Sequence, residues 1–148
     1  MDFPGAPLPA DEHAYAALVA SFEDQSLPFE VWRHHRTHLI VAVYYLCHVP
    51  EAEALDRIRA GIHRILAANG IQSTPTNGYH ETITRVWIRL LAAHLATVAD
   101  RPLVQRAASA LELAQDQQLL LRYYTEARLL SAEARAGWVE PDLAPLPA

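Results

Sequence analysis

Three of the eight histidines in this sequence stand where their side chains could act together on one chemical group. His35 and His38 lie three residues apart in a segment with helical periodicity, and His80 opens a second such segment. On an ideal helix His38 falls about 60° from His35, and both rings interrupt the apolar face of their segment. His80 likewise shares a stripe with the apolar residues of its own segment. The spacing therefore predicts that the three imidazoles converge between two helices.

Convergent imidazoles point first to a metal ion. Neutral imidazole is a good ligand for zinc, iron, copper and nickel, and helical bundles build metal sites from inward-facing side chains. A set of three histidines leaves coordination positions open for water or substrate. We therefore expect His35, His38 and His80 to hold a divalent transition metal, zinc or iron, in an enzyme that acts on a small molecule. The spacing matches no standard zinc signature, because it lacks both His-Glu-x-x-His and a cysteine pair.

The same residues also support a metal-free alternative. Tyr79, His80 and Glu81 are consecutive at the predicted start of a helix, where backbone N–H groups favour an anionic ligand group. In this alternative His80 or His38 is the base and Glu81 orients it. His80, Glu81 and Tyr79 are then the candidate catalytic residues of an acid/base or condensation enzyme. A structural interpretation competes with it, since Glu81 precedes Arg85 by four residues, the spacing of a surface ion pair.

A third alternative assigns no chemistry to the histidines. An inward-facing histidine is often a core residue hydrogen-bonded to a backbone carbonyl or a hydroxyl, and the chain would then be a binding or interaction module. For His94 we expect such a hydrogen-bonded core role under all three hypotheses. In the C-terminal part, Ser131 and Arg135 could bring a hydroxyl and a guanidinium to a pocket. They could equally serve as a helix cap and as the ion-pair partner of Glu133 or Asp142.

The elements that must position these residues are all helices. No segment alternates apolar and polar residues as a half-buried strand does, so we predict an all-α, single-domain bundle of five to six helices. We expect a first helix from about residue 11, followed by helices over 28–48, 51–69 and 78–98. A short helix around 102–104 comes next, and then a helix over 113–124 that could extend toward 130. A last helical turn covers 131–138. The predicted N-caps are Asp11, Ser26, Thr76 or Asn77, Asp100 and Ser131.

Composition limits the classes of function. All twelve basic residues are arginines scattered among seventeen acids, the net charge is −5, and no basic stripe suited to nucleic acid is present. The longest apolar stretch, 39–47, is far too short to cross a bilayer, and the acidic, proline-rich start lacks the features of a signal peptide. With Cys47 as the one cysteine, we expect a reducing, cytoplasmic environment and neither membrane nor nucleic acid as partner.

The length of 148 residues, 51% of them hydrophobic, predicts one domain over 1–148, with an extended arm at 1–10 and a proline-rich tail at 141–148. The expected partner is a small-molecule ligand. A homodimer is a further expectation, because the second helix is apolar nearly all round from Leu39 onward. A central position in the bundle would give the same pattern.

Three strings of the sequence resemble those of a group of small bacterial hypothetical proteins. They are 35–39, with the pattern HxxHL, 79–82, which reads YHET, and 141–147, with the pattern PDLxPLP. The resemblance covers most of the chain from Trp32 to Pro147. It implies a helical fold and one unit that contains both histidine strings and the tail, and it implies no particular activity.

Overall fold

Helices form along most of the segments in which the sequence shows helical periodicity. The computed structural model describes residues 5–148, and its helices are, in order, α1 (Glu12–Glu23), α2 (Phe29–Trp32), α3 (His35–His48), α4 (Glu51–Ala68), α5 (Glu81–Ala96), α6 (Leu103–Leu113), α7 (Glu126–Leu129) and α8 (Ala132–Ala136), with a 3₁₀ turn at Leu120–Arg122. Within those residues β character is limited to one isolated bridge, between Thr74 and Asn77. The predicted all-α fold is confirmed.

The predicted second helix is in fact two helices, because the chain leaves helical geometry at His34 (φ −87°, ψ 133°). The cause is the buried hydroxyl of Thr37, which donates to the Val31 carbonyl at 2.8 Å. In an unbroken helix that carbonyl would accept from the amide four residues later. The break makes His35 the first residue of α3 and places His38 in its first turn.

Side-chain caps explain where several helices start. Asp11 caps α1 and Ser131 caps α8, as predicted. The caps predicted at Ser26 and Asp100 are wrong, because prolines occupy the N-cap positions of α2 and α6. α5 starts later than expected, and its N-cap is His80 rather than Thr76 or Asn77. The physical reason is that the preceding loop folds into a turn of its own at 74–77.

The predicted helix over 113–124 is wrong. α6 already ends at Leu113, and the chain turns at Asp116, whose carboxylate accepts from the amide of Gln118 at 3.0 Å. Such a local side-chain bond offers the backbone an alternative to the helix. The 3₁₀ turn and the four-residue α7 follow in its place.

α3 lies at the centre of the bundle and packs against α1, α4, α5 and α6. Its residues 39–43 are all buried, and this central position accounts for the all-round apolarity that suggested a homodimer. These side chains and those of the neighbouring helices form the main core, whose buried members lie between Tyr15 and Ala110. α3 has 14 residues, and no helix in the described part of the chain has the length and apolarity needed to cross a bilayer.

α1 contacts α4 at Gly61 through the side chain of Phe22. The ring of Phe22, which is fully buried, lies over the backbone of α4 at this point. A Cβ atom built on Gly61 would lie 2.0 Å from Cζ of Phe22. A residue with a side chain at this position would clash with the Phe22 ring, and glycine avoids the clash.

A second group of buried side chains, here called the C-terminal cluster, packs the later part of the chain onto α5. Its members are Val86, Leu90, Leu119, Tyr124, Leu129, Ala134 and Val139. The hydroxyl of Thr82 donates to the Gly137 carbonyl at 2.8 Å and accepts from the Val139 amide at 3.2 Å. In the irregular tail, Asp142 accepts from the amide and the hydroxyl of Thr125. These bonds hold α8 beside the N-terminal end of α5.

The described part of the predicted arm, residues 5–10, is non-helical and docked on α3. The amide of Ala6 donates to the hydroxyl of Thr37 at 2.8 Å, and its carbonyl accepts from Nε of Arg36 at 3.1 Å. Residues 1–4 of the predicted arm lie outside the described residues.

Candidate functional site

α3 brings His35 and His38 together at its first turn. Their ring centroids are 6.1 Å apart, with the ring planes at 81°. Trp32 of α2 packs against His38 with 4.1 Å between ring centroids, and Trp87 of α5 packs against His35 at 5.0 Å. The two tryptophans thus hold both imidazoles at the junction of α2, α3 and α5.

His38 has one ring nitrogen without a partner. Its Nε2 is shielded from solvent and makes no hydrogen bond within the described residues. Burial and the neighbouring His35 lower the pKa of His38 to about 4, against an opposing hydrogen-bond contribution from the Trp32 backbone. At neutral pH the ring is uncharged, and when its proton is on Nδ1 its Nε2 carries a free lone pair.

A small cavity of about 80 Å³ lies beside the two histidines, between α3, α4 and α5. Apart from the histidines, Thr84 and Trp87, its lining is aliphatic: Leu39, Ala42, Ile58, Ile62, Ile83, Ile88 and Leu91. His35 keeps part of its surface in solvent, and the partial burial of its ring lowers its pKa. The pair is therefore reachable from outside through His35, while His38 lies deeper.

His80 is not brought to this pair. Its Nδ1 accepts from the amide of Ile83 at 3.1 Å, and its Nε2 donates to the carbonyl of Leu129 at 2.8 Å. Burial lowers the pKa of His80, although the Leu129 carbonyl favours the charged form. Both ring nitrogens are occupied in holding α5 to α7. Accordingly, residues 5–148 contain no group of three histidine, cysteine or acidic side chains placed to hold a metal ion.

Glu81, the second predicted catalytic residue, is the centre of a polar network. Nε and Nη2 of Arg59, on α4, donate to its two carboxylate oxygens at 2.9 and 2.7 Å, a bidentate pair. The hydroxyl of Tyr79 donates to Oε1 at 2.6 Å. The expected partner, Arg85, is farther away at 4.0 Å. Glu81 thus links α4 to α5 and to the loop before α5.

Burial opposes ionisation of Glu81, but hydrogen bonds from Arg59 and Tyr79 outweigh it and hold the pKa of this carboxyl below its usual value. Burial and the Glu81 carboxylate raise the pKa of Tyr79 to about 12. At neutral pH the glutamate is therefore charged and the tyrosine is protonated. Both values lie far from pH 7, where a general acid or base works best. The network is suited to positioning more than to proton transfer.

A cleft of about 630 Å³ opens beside this network, between α4, α5, α8 and the loop 73–79. Its lining consists of Arg59, His63, Ser73, Thr74, Pro75, Tyr79, Glu81, Ala132, Arg135, Ala136 and Gly137. The ring of His63 lies against that of Tyr79, with 4.6 Å between centroids. Charged, polar and aromatic side chains converge in this cleft, and a concave site with a few convergent polar groups is typical of small-molecule binding.

Arg135 is the cation of the cleft that no acidic side chain among residues 5–148 neutralises. Its Nη1 donates to the Gly78 carbonyl at 3.0 Å, and its Nε is buried without a hydrogen-bond partner. It takes part in none of the ion pairs among residues 5–148, so the expected pairing with Glu133 or Asp142 is absent there. Other arginines also have an unpartnered Nε, and Arg135 differs from them in facing this cleft.

Of the two roles that its position allowed, a helix cap and a pocket hydroxyl, Ser131 takes that of the helix cap. Its Oγ accepts from the amide of Ala134 at 3.1 Å and donates to the carbonyl of Arg128 at 2.7 Å. His94 is hydrogen-bonded to Ser109 Oγ at 2.8 Å, the core role expected of it. Neither side chain lines the cleft.

Sequence patterns missed Arg59 and His63 as members of the site. The two are four residues apart on α4 and share one of its faces, which is a detectable signal. The bond between Arg59 and Glu81 could not be found from local spacing, because Glu81 lies 22 residues after Arg59. The i, i+4 rule favoured Arg85 for that reason.

Comparison with known proteins gives no relative. No protein-family model matches the chain, and neither a curated protein nor a solved structure matches it.

Proposed function

We propose that this protein binds a small organic molecule carrying a carboxylate or phosphate group in the cleft between α4, α5, α8 and the loop 73–79. The observation that carries the proposal is the guanidinium of Arg135, which faces the cleft without an acidic partner among the described residues. Guanidinium groups bind carboxylate and phosphate oxygens through strong, directed hydrogen bonds.

The charges around the cleft favour an anion. Glu81 is the acidic side chain of its lining, and Arg59 already neutralises it through a bidentate pair. The charge of Arg135 is left over, in a chain whose net charge is −5. An anionic group entering the cleft would meet this cation in surroundings drier than bulk water, where the attraction is stronger.

The remaining lining favours an organic ligand over a bare ion. His63 and Tyr79 form an aromatic wall, and Pro75, Ala132 and Ala136 add apolar surface. The volume of about 630 Å³ is in the range of sites for drug-sized molecules. The Tyr79–Glu81–Arg59 network fixes the wall, so that little order has to be gained on binding.

The three functions predicted from the sequence agree with this proposal to different degrees. A binding module agrees with it directly. The metal-free acid/base enzyme needs His80 or His38 as its base, and neither lines the cleft, so of its residues only Tyr79 and Glu81 are present there; it stays a prediction. The metal-dependent enzyme also stays a prediction, although its third ligand, His80, is engaged in two hydrogen bonds.

The test uses four probes that separate charge from shape: inorganic phosphate, phenyl phosphate, benzoate and the neutral benzyl alcohol, at constant ionic strength. Phenyl phosphate and benzoate should raise the thermal midpoint with increasing concentration, and benzyl alcohol should not. Arg135→Gln should weaken phenyl phosphate binding, measured by calorimetry, about tenfold or more, because a hydrogen bond to a charged group is worth about 1.5–3 kcal/mol.

Arg101→Gln is the matched control, because Arg101 is exposed beyond the opposite end of α5. This variant should bind phenyl phosphate as the wild type does. Binding of benzyl alcohol equal to that of benzoate, or equal loss of affinity in both arginine variants, would contradict an anion site at Arg135.

A further inference from the structure

The small cavity beside His35 and His38 is separate from the cleft and poses its own chemical question. A buried polar atom without a partner is uncommon in a folded protein and calls for an explanation. Nε2 of His38 is such an atom, since it is shielded from solvent and unbonded within the described residues. The free lone pair is that of an acceptor or a metal ligand.

His35 supplies a second imidazole nearby. With nitrogen–metal bonds of about 2.0–2.1 Å, two imidazoles that share one ion have ring centres about 5 Å apart in a tetrahedral site and at most about 6.5 Å apart when the ion lies in line between them. The ring centroids of His35 and His38 are 6.1 Å apart. Trp32 and Trp87 pack against the two rings, and the exposed ring of His35 would turn toward His38 for both to bind one ion.

The surroundings leave room for the rest of a coordination sphere. The cavity of about 80 Å³ can hold an ion with one or two water molecules, since a water molecule takes up about 30 Å³. Its lining contains no carboxylate and no cation. Because His35 is partly exposed, an ion held by both rings would sit at the mouth, where solvent completes its coordination and reduces the cost of its charge.

We propose that His35 and His38 form a two-histidine binding site for a divalent transition-metal ion at the mouth of this cavity, without His80. The partnerless Nε2 of His38 and the partly exposed ring of His35 are its protein ligands, and water takes the other positions. This site does not depend on the ligand proposed for the cleft, and either can fail without the other.

The experiment titrates the full chain, prepared without a histidine tag and stripped with a chelator, with Co²⁺, and follows visible absorption. Zn²⁺ competition then gives the zinc affinity. We expect one Co²⁺ per chain, with affinity reduced more than about tenfold in His35→Ala and in His38→Gln, since even loss of a residue that only supports a ligand costs about 10–100-fold. His35 is partly exposed, so its variant should fold even if that of the deeper His38 does not.

His13→Ala and His80→Asn are the controls. His13 is an exposed residue of α1, and His80 is a predicted ligand that the proposal leaves out. Both variants should bind Co²⁺ as the wild type does. The proposal is overturned if Co²⁺ does not bind stoichiometrically, if His35→Ala binds it normally, or if His80→Asn abolishes binding.

Discussion

The imidazole of His80 serves as a helix cap, a role that serine, threonine, aspartate and asparagine usually fill. It satisfies an amide in the first turn of α5, that of Ile83, and a carbonyl at the end of α7, that of Leu129. Each helix end leaves such groups without intrahelical partners. One side chain therefore closes two helix ends at once, which is a sufficient reason for a buried histidine at this position.

Replacing His80 should show both contributions. His80→Ala removes the cap and leaves the Leu129 carbonyl unpaired, so the free energy of unfolding should fall by about 2–3 kcal/mol. His80→Asn restores an acceptor for Ile83 but does not reach Leu129, and it should recover about half of the loss. Urea denaturation of the three proteins at pH 7 measures the difference. Equal stability of the alanine and asparagine variants would contradict the capping role.

The residue patterns of the sequence predicted which side chains face inward. They could not predict which hydrogen bonds the atoms of those side chains make. The spacing of His35 and His38 places them together, and the fold does so. His80 shares the same inward pattern, yet its two nitrogens bond to Ile83 and Leu129. The Leu129 bond spans 49 residues, and no local pattern contains a contact at that separation.

At the scale of the helices, Gly61 allows the Phe22 ring of α1 to pack on the backbone of α4. The ring of Phe22 occupies the space that a Cβ would need, at 2.0 Å from Cζ. Because Phe22 is fully buried in the main core, its ring cannot move aside without displacing other core side chains. Interiors packed to this density do not accept an added methyl group freely.

Gly61→Ala should therefore destabilise the protein by about 1–3 kcal/mol, although alanine is the better helix former. The loss should appear as a lower midpoint in urea denaturation. Gly137→Ala is the matched control, because a Cβ there meets no atom within 4 Å and the backbone is extended. Its stability should change little. A Gly61 variant as stable as the Gly137 variant would mean that α1 and α4 separate easily.

The helices themselves were predicted to different degrees, for physical reasons. α4 was anticipated closely, because its amphipathic pattern runs unbroken to an Asn-Gly stop. The break between α2 and α3 was missed, since it depends on the hydroxyl of Thr37 meeting Val31 and Ala6. The short helix expected around 102–104 runs on to Leu113 as α6, and the helix expected over 113–124 was wrong because of the local turn at Asp116.

For the molecule as a whole, Glu81 couples stability to pH. Its partners face it from α4 (Arg59), from the preceding loop (Tyr79) and from α5 itself (Arg85). Since these groups hold the folded-state pKa of Glu81 below the unfolded value of about 4.3, its contribution to stability is present above that value. The contribution is lost as the pH falls through the folded-state pKa.

Glu81→Gln should accordingly lower the free energy of unfolding by about 1–3 kcal/mol at pH 7. The gap between variant and wild type should shrink as the pH falls to about 3. Urea denaturation across this pH range checks both statements. Glu53→Gln is the control, since the Glu53–Arg57 pair is exposed and should contribute little at any pH. A gap for Glu81→Gln that does not vary with pH would contradict the coupling.

The walls of the cleft come from three separated stretches of the chain: α4 near residues 59–63, the loop and α5 start at 73–81, and α8 with residue 137. The buried members of the main core, by contrast, all lie before residue 111. During synthesis the N-terminal part of a chain emerges first. On a ribosome, all residues of the main core can therefore be present before Arg135 has been added, and the cleft is completed only after residue 137 has emerged. The proposed anion site would thus form only after every residue of the main core has been made.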